Sequence, residues 1–204
     1  MKTVNRLKGG IMLLDLIKRN RSYRRFDESK RISREELLNF VNAARLSSSA
    51  RNLQPLRYRL VYKKEECDFV FSNLHFARSL QNWKGPQEGE HPAAYIILLL
   101  PKDAGNMQYI DTGIAAQSIT LSAVEKGYGC CMLGSVEKEE LHSYFMFPID
   151  REIVLVIALG VPIDQVVLEE TKNSEDIEYW RDENNVHHTP KLKLEDIILP
   201  EHHH

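Results

Sequence analysis

The sequence predicts a single α+β domain, and three observations carry that expectation. Two long apolar runs, 94–100 and 151–160, end at proline or glycine and have the length of strands buried on both faces. Between them, 108–126 is apolar or small nearly all round, as in a helix deep in a core or in a subunit interface. No repeat or linker separates two cores, and 204 residues at 43% hydrophobic suit one substantial core better than two.

The elements follow in order. Ile11, Leu13, Leu14, Leu16 and Ile17 make an apolar helix-like run, and Lys18 and Arg19 suit the negative end of its dipole. Ser33-Arg34-Glu35-Glu36 is a capping box opening a helix through Leu37, Leu38, Phe40, Val41 and Ala44. Residues 46–55 are polar and end at Pro55, which turns Gln54 toward an extended conformation, and 57–62 alternates as a half-buried strand does. A helix is expected over 65–83, then a breaker-rich loop at 85–92. Gly127-Tyr128-Gly129 stops the long helix, 130–133 is a short strand, and 137–145 a short amphipathic helix. From 163 onward the pattern fades into a long, charged carboxy-terminal arm. Residues 1–200 thus form one domain, and 201–204 read as a tag remnant.

Composition narrows the function. A formal charge of -2 and a pI near 6.5 argue against a general nucleic-acid binder. Cys67, Cys130 and Cys131 form neither a disulfide framework nor a metal-site spacing, which fits a reducing, cytoplasmic setting. No window approaches the ~18–20 apolar residues that cross a bilayer, so no membrane is expected. The histidines outside the last three residues are scattered, and no metal is expected.

The usual chemical signatures are missing. There is no G-x-G-x-x-G after a strand, no phosphate-binding G-x-x-x-x-G-K-[ST], no G-x-S-x-G elbow and no carboxylate pair. Asp111 reads as a helix-start carboxylate. Cys130 and Cys131 on a buried strand read as inert. Two polar stretches remain. One is Arg19-Asn-Arg-Ser-Tyr-Arg-Arg-Phe26, whose guanidinium groups must face water or an anion. The other is Ser47-Ser48-Ser49-x-x-Asn52-x-Gln54. Together they are a donor set for a phosphate and a heteroaromatic edge. Lys191 and Lys193 alternate with leucines and would share one side of an extended segment. Tyr179-Trp180 reads more readily as an anchor of the arm to a second subunit than as a cover over the active site, and 85–92 as either a substrate lid or a plain surface connection.

Arg-Ser-Tyr-Arg-Arg-Phe at 21–26, Ser-Ser-x-x-Asn-x-Gln-Pro at 48–55, Asp111 to Gln117, Gly-Tyr-Gly-Cys-Cys-Met-Leu-Gly at 127–134 and Pro-Lys-Leu-Lys at 190–193 fall in the order found in nitroreductase-family flavoproteins. The chain resembles that family from about residue 11 to about 199. The resemblance implies an α+β sheet with helices on both faces, in an intertwined homodimer with FMN at the subunit interface. Carried over, it makes Arg21 and Ser22 FMN contacts and puts Arg24 near flavin N1 and the C2 carbonyl, where positive charge favours the anionic reduced ring. It brings Ser49, Asn52 and Gln54 to the ring from the second subunit, passes the backbone of Leu133 and Gly134 close to it, and sets Lys191 and Lys193 near the phosphate. Arg25 receives no role. Asn20, Ser48 and Leu56 depart from the residues common there. The implied activity is ping-pong hydride transfer from NADH or NADPH through flavin N5 to a nitroaromatic, quinone or related acceptor. The competing readings are a non-catalytic flavin carrier and an offshoot that dehalogenates its substrate or fragments flavin.

Overall fold

The computed structural model describes residues 12–76, 83, 85–171, 173 and 175–201. Its centre is an antiparallel sheet in the order β1-β2-β4-β3, built from Arg57–Val61, Ala94–Pro101, Arg151–Gly160 and Gly129–Leu133. The two apolar runs become β2 and β4, which pair along their whole length with one irregularity at Leu98/Leu99. Alternation along β2 divides the core. Ile96 and Leu98 face α2 (Arg34–Leu46) and α4 (Asn106–Glu125), while Tyr95, Ile97 and Leu99 face α3 (Lys64–Ser72) and α5 (Lys138–Tyr144). Helices therefore cover both faces, as expected. The capping box at Ser33 and Glu36 is present in both directions.

Three expectations change. The helix expected over 65–83 stops at Ser72, because Asn73 turns its amide back onto the Phe69 carbonyl (2.8 Å) and Leu74 then pairs with Val136. Residues 77–82 and 84 lie outside the described residues. The carboxy-terminal arm is not featureless: β5 (Val166–Glu170), β6 (Trp180–Arg181) and β7 (His187–Lys191) form a second sheet in the order β5-β7-β6. Its strands are short, polar and half exposed, so no periodicity announces them, and pairing between distant segments makes them. Finally, α4 does have an outer face, yet that face is apolar: Met107, Ile110 and Ile114 are exposed. The neighbouring α1 (Leu13–Arg19) likewise buries no residue and exposes Leu13 and Leu14. Among the described residues no helix is long and apolar enough to cross a membrane.

The segment carrying the arginines runs beside the ends of β3 and β4. Tyr23 donates its backbone N–H to the Cys130 carbonyl (2.9 Å), Asp27 to Val161 (2.8 Å), and Ile163 returns one to Arg25 (3.1 Å). Phe26, fully buried, fills the space over Gly160, where a Cβ would lie 2.8 Å from the Phe26 Cβ. Overpacking of this kind costs about 1–3 kcal/mol. Gly160→Ala should lower stability in urea unfolding by that amount, whereas Gly134→Ala, whose Cβ would meet nothing within 4 Å, should unfold as the wild type does.

Candidate functional site

Arg24 is 7% exposed, an unusual place for a guanidinium. Its surroundings explain how it is held. Nη1 donates to the Ser22 carbonyl (3.2 Å) and to His187 Nε2 (3.1 Å), and the group lies 4.9 Å from the centre of the Tyr179 ring. Behind it, Asp164 accepts the backbone N–H groups of Arg24 (2.8 Å) and Arg25 (3.0 Å) on one oxygen. Arg181 grips both oxygens of that carboxylate at 3.0 and 3.3 Å. Arg25 turns the other way, donating from Nε and Nη2 to Glu90 (3.0 and 2.5 Å), and so pins the 85–92 loop.

A cavity of about 280 Å³ opens beside Arg24. Its walls come from four places: Asn20, Arg21 and Ser22 of the first motif, Gln117 and Thr120 of α4, Cys130 and Met132 of β3, and the carboxy-terminal segment, with Tyr179 just before β6 and His187, Thr189 and Lys191 on β7. Asn20 spans two of them by donating to Thr120 Oγ1 (2.8 Å). Arg21 uses Nη2 to cap the Ile17 carbonyl (2.8 Å), so it also finishes α1, and burial lowers its pKa. Arg21 Nε, Arg24 Nε and His187 Nδ1 are buried and find no partner among the described residues. Buried polar groups without partners are costly, and the two arginine N–H donors beside one cavity fit an acceptor-rich anion such as a nucleotide phosphate. The donor set thus fits FMN.

The second polar stretch folds elsewhere, around the opposite flank of α4. Asp111 is not a helix-start carboxylate. It lies beyond the first turn, is 4% exposed, and accepts the Ser49 hydroxyl (2.7 Å) and the Ala50 N–H (2.9 Å). Ser49 Oγ in turn accepts the Gln54 N–H (3.0 Å). These bonds close a loop in which Arg51, Asn52 and Gln54 all have positive φ (53°, 55° and 47°). For non-glycine residues that conformation costs about 1 kcal/mol or more apiece. A cavity of about 150 Å³ lies here, lined by Ser49, Gln54 and Asp111 among others.

The structure therefore brings together Arg21, Ser22, Arg24 and Lys191, and separately Ser49 and Gln54, with Asn52 exposed on the same loop. Lys193 does not join Lys191, because β7 ends at Lys191 and Lys193 starts a turn to Asp196. The Leu133 side chain packs into the core on the α3 and α5 side, so only its backbone is open to the expected role, and strand alternation turns Cys130 and Met132 to the cavity. Gly134 is exposed, and no protein atom there requires a glycine. Missed altogether were His187, Thr189, Asp164 and Thr120. Extending the Lys191 alternation back through β7 would have found Thr189 and His187. Tyr179 lines the cavity, while Trp180 stacks on His188 (3.9 Å). Burial pushes both Cys130 and Cys131 thiols up, the latter to about 11, which leaves them protonated and inert.

Comparison with known proteins agrees with this fold. The family model described as Nitroreductase family matches residues 17–161. A Bacillus subtilis (strain 168) protein carrying the name NAD(P)H nitroreductase YodC is 25% identical, over 72% of this chain and 88% of its own. Among solved structures, an Exiguobacterium sibiricum nitroreductase in complex with FMN superposes with a TM-score of 0.67 at 19% identity, covering 84% of this chain and 98% of its own. A nitroreductase family protein from Clostridium difficile 630 gives 0.66 at 16% identity, covering 94% and 99%.

His187 provides a pH test of the cavity. Burial first, then the charges of Arg24 and Arg181, lowers its pKa from 6.5 to about 4. The folded state thus holds the neutral ring while the unfolded chain takes up a proton. The stability this provides is complete above pH 6.5 and is lost as pH falls through about 4. Thermal melts of wild type and His187→Gln between pH 7 and 4 should show a steeper decline for the wild type; parallel curves would contradict the assignment.

Proposed function

Because the chain belongs to the nitroreductase family, we propose that it is an NAD(P)H-dependent oxidoreductase that holds FMN in the arginine-lined cavity and reduces a small acceptor such as a nitroaromatic or quinone. The observation that supports this reading most directly is the set of buried, unpartnered nitrogens on Arg21, Arg24 and His187 around one cationic cavity. When bound, FMN supplies hydride acceptance from NAD(P)H and hydride delivery to the acceptor at N5, in ping-pong order.

The residues have separate tasks in this reading. Arg21 and Lys191 offer charge-assisted donors for the phosphate, and Ser22 stands beside them. Arg24, immobilised by Ser22, His187 and Tyr179, is a fixed cation that favours negative charge in the cavity. The family's homodimer accounts for the exposed apolar faces of α4 and α1. In that assembly the Ser49–Gln54 loop of a second copy completes the cavity, which explains why one chain holds the two polar groups apart. Nothing in this scheme needs a side-chain nucleophile or an acid–base pair, in keeping with their absence from the sequence.

Three measurements test the reading. Purified protein should show a flavin absorption spectrum, or acquire one with added FMN, and oxidise NADH or NADPH steadily with a nitroaromatic or quinone; flavin uptake without turnover would indicate a carrier. Arg21→Ala should weaken FMN binding by about tenfold or more, as loss of a charge-assisted contact worth about 1.5–3 kcal/mol implies. Unchanged affinity would remove Arg21 from the site. Ile110→Lys, on the exposed face of α4, should shift the protein from dimer to monomer in light scattering and reduce flavin affinity with it.

A further inference from the structure

We propose that His187 is a third cofactor-binding donor of the cavity, presenting Nδ1–H of a neutral imidazole to an acceptor oxygen of the flavin nucleotide. This rests on the FMN reading and goes beyond it by assigning a residue and a tautomer. Side chains two apart on a strand share a face, and His187, Thr189 and Lys191 of β7 all line the cavity. The face that carries the expected phosphate lysine therefore also carries the imidazole.

The tautomer follows from the partner. His187 Nε2 lies 3.1 Å from Arg24 Nη1, and a guanidinium can only donate, so Nε2 must be the lone-pair nitrogen. A neutral ring then carries its proton on Nδ1. That N–H is buried, in a residue 2% exposed, and has no acceptor among the described residues. The ring is also held fast. Its backbone N–H donates to the Gln165 carbonyl (2.8 Å), and the Tyr179 ring lies 5.2 Å away, centre to centre. The charged groups that act on it are Arg24, Arg181 and Asp164, with His188 next along the strand, and the titratable group packed against it is Tyr179. The two guanidiniums oppose its protonation. The outcome is an uncharged, immobilised donor among cations. It can read an acceptor oxygen without adding to the cavity's charge.

The test separates the two nitrogens. His187→Gln keeps an acceptor for Arg24 near the Nε2 position and loses the Nδ1 donor, whereas His187→Asn keeps a donor near Nδ1 and loses the acceptor. FMN titrations of the full-length apoprotein, followed by quenching of flavin fluorescence, should show His187→Gln weakened about tenfold, as expected for one lost hydrogen bond, and His187→Asn weakened less. Long-range ¹⁵N spectra of the histidine-labelled protein should show the Nδ1–H tautomer before FMN is added and a shift of Nδ1 afterwards. An Nε2–H tautomer, an unmoved Nδ1, wild-type affinity in His187→Gln, or an Asn variant weakened as much as the Gln variant would overturn the proposal. Wild-type protein that takes up no FMN would instead overturn the functional reading on which it rests.

Discussion

The carboxylate of Asp164 is the interaction on which the site depends. With a side chain 1% exposed, it receives two consecutive backbone amides of the arginine motif and both ends of the Arg181 guanidinium. Arg181 lies on β6, beside β7 and its His187, so one buried group ties the amino-terminal motif to the carboxy-terminal sheet. Removing one partner from a buried, hydrogen-bonded charge pair costs about 3–5 kcal/mol, because the other is left uncompensated. The arrangement also settles the charge problem of the cavity. Several guanidiniums can converge there because an anion already stands behind them, leaving the front for a second anion.

A second carboxylate does similar work on the far side of α4. Asp111 offsets the strain of three left-handed residues by accepting from Ser49 and Ala50, and Ser49 passes the constraint to Gln54. Left-handed conformations outside glycine persist where surrounding bonds over-determine them, and they cluster at ligand-binding loops. One helix thereby organises both polar groups: Thr120 and Gln117 toward the arginine cavity, Asp111 and Ala115 toward the loop. Its exposed residues include Ile110 and Ile114, which leave an apolar outer surface on the same helix.

Much of this was legible in the residues themselves. The strands β2 and β4, the α2 capping box, the long α4 and the arginine motif all rest on local pattern: apolar runs of strand length, a serine three positions before a glutamate, and charge that cannot be buried unpaired. Local chemistry determined that the chain would be α+β and that the arginines would face either water or an anion. The tertiary structure decided what contacts between distant segments decide. A polar stretch such as 166–191 becomes a sheet only once β7 finds β5, and Asp164 and His187 matter only because folding brings them against an arginine that lies 140 and 163 residues away along the chain. Asp111 shows the same limit, since spacing along the chain cannot tell a carboxylate at a helix start from one buried beneath a loop. Sequence periodicity reports which face of an element is apolar; which polar groups meet is a matter of three-dimensional distance.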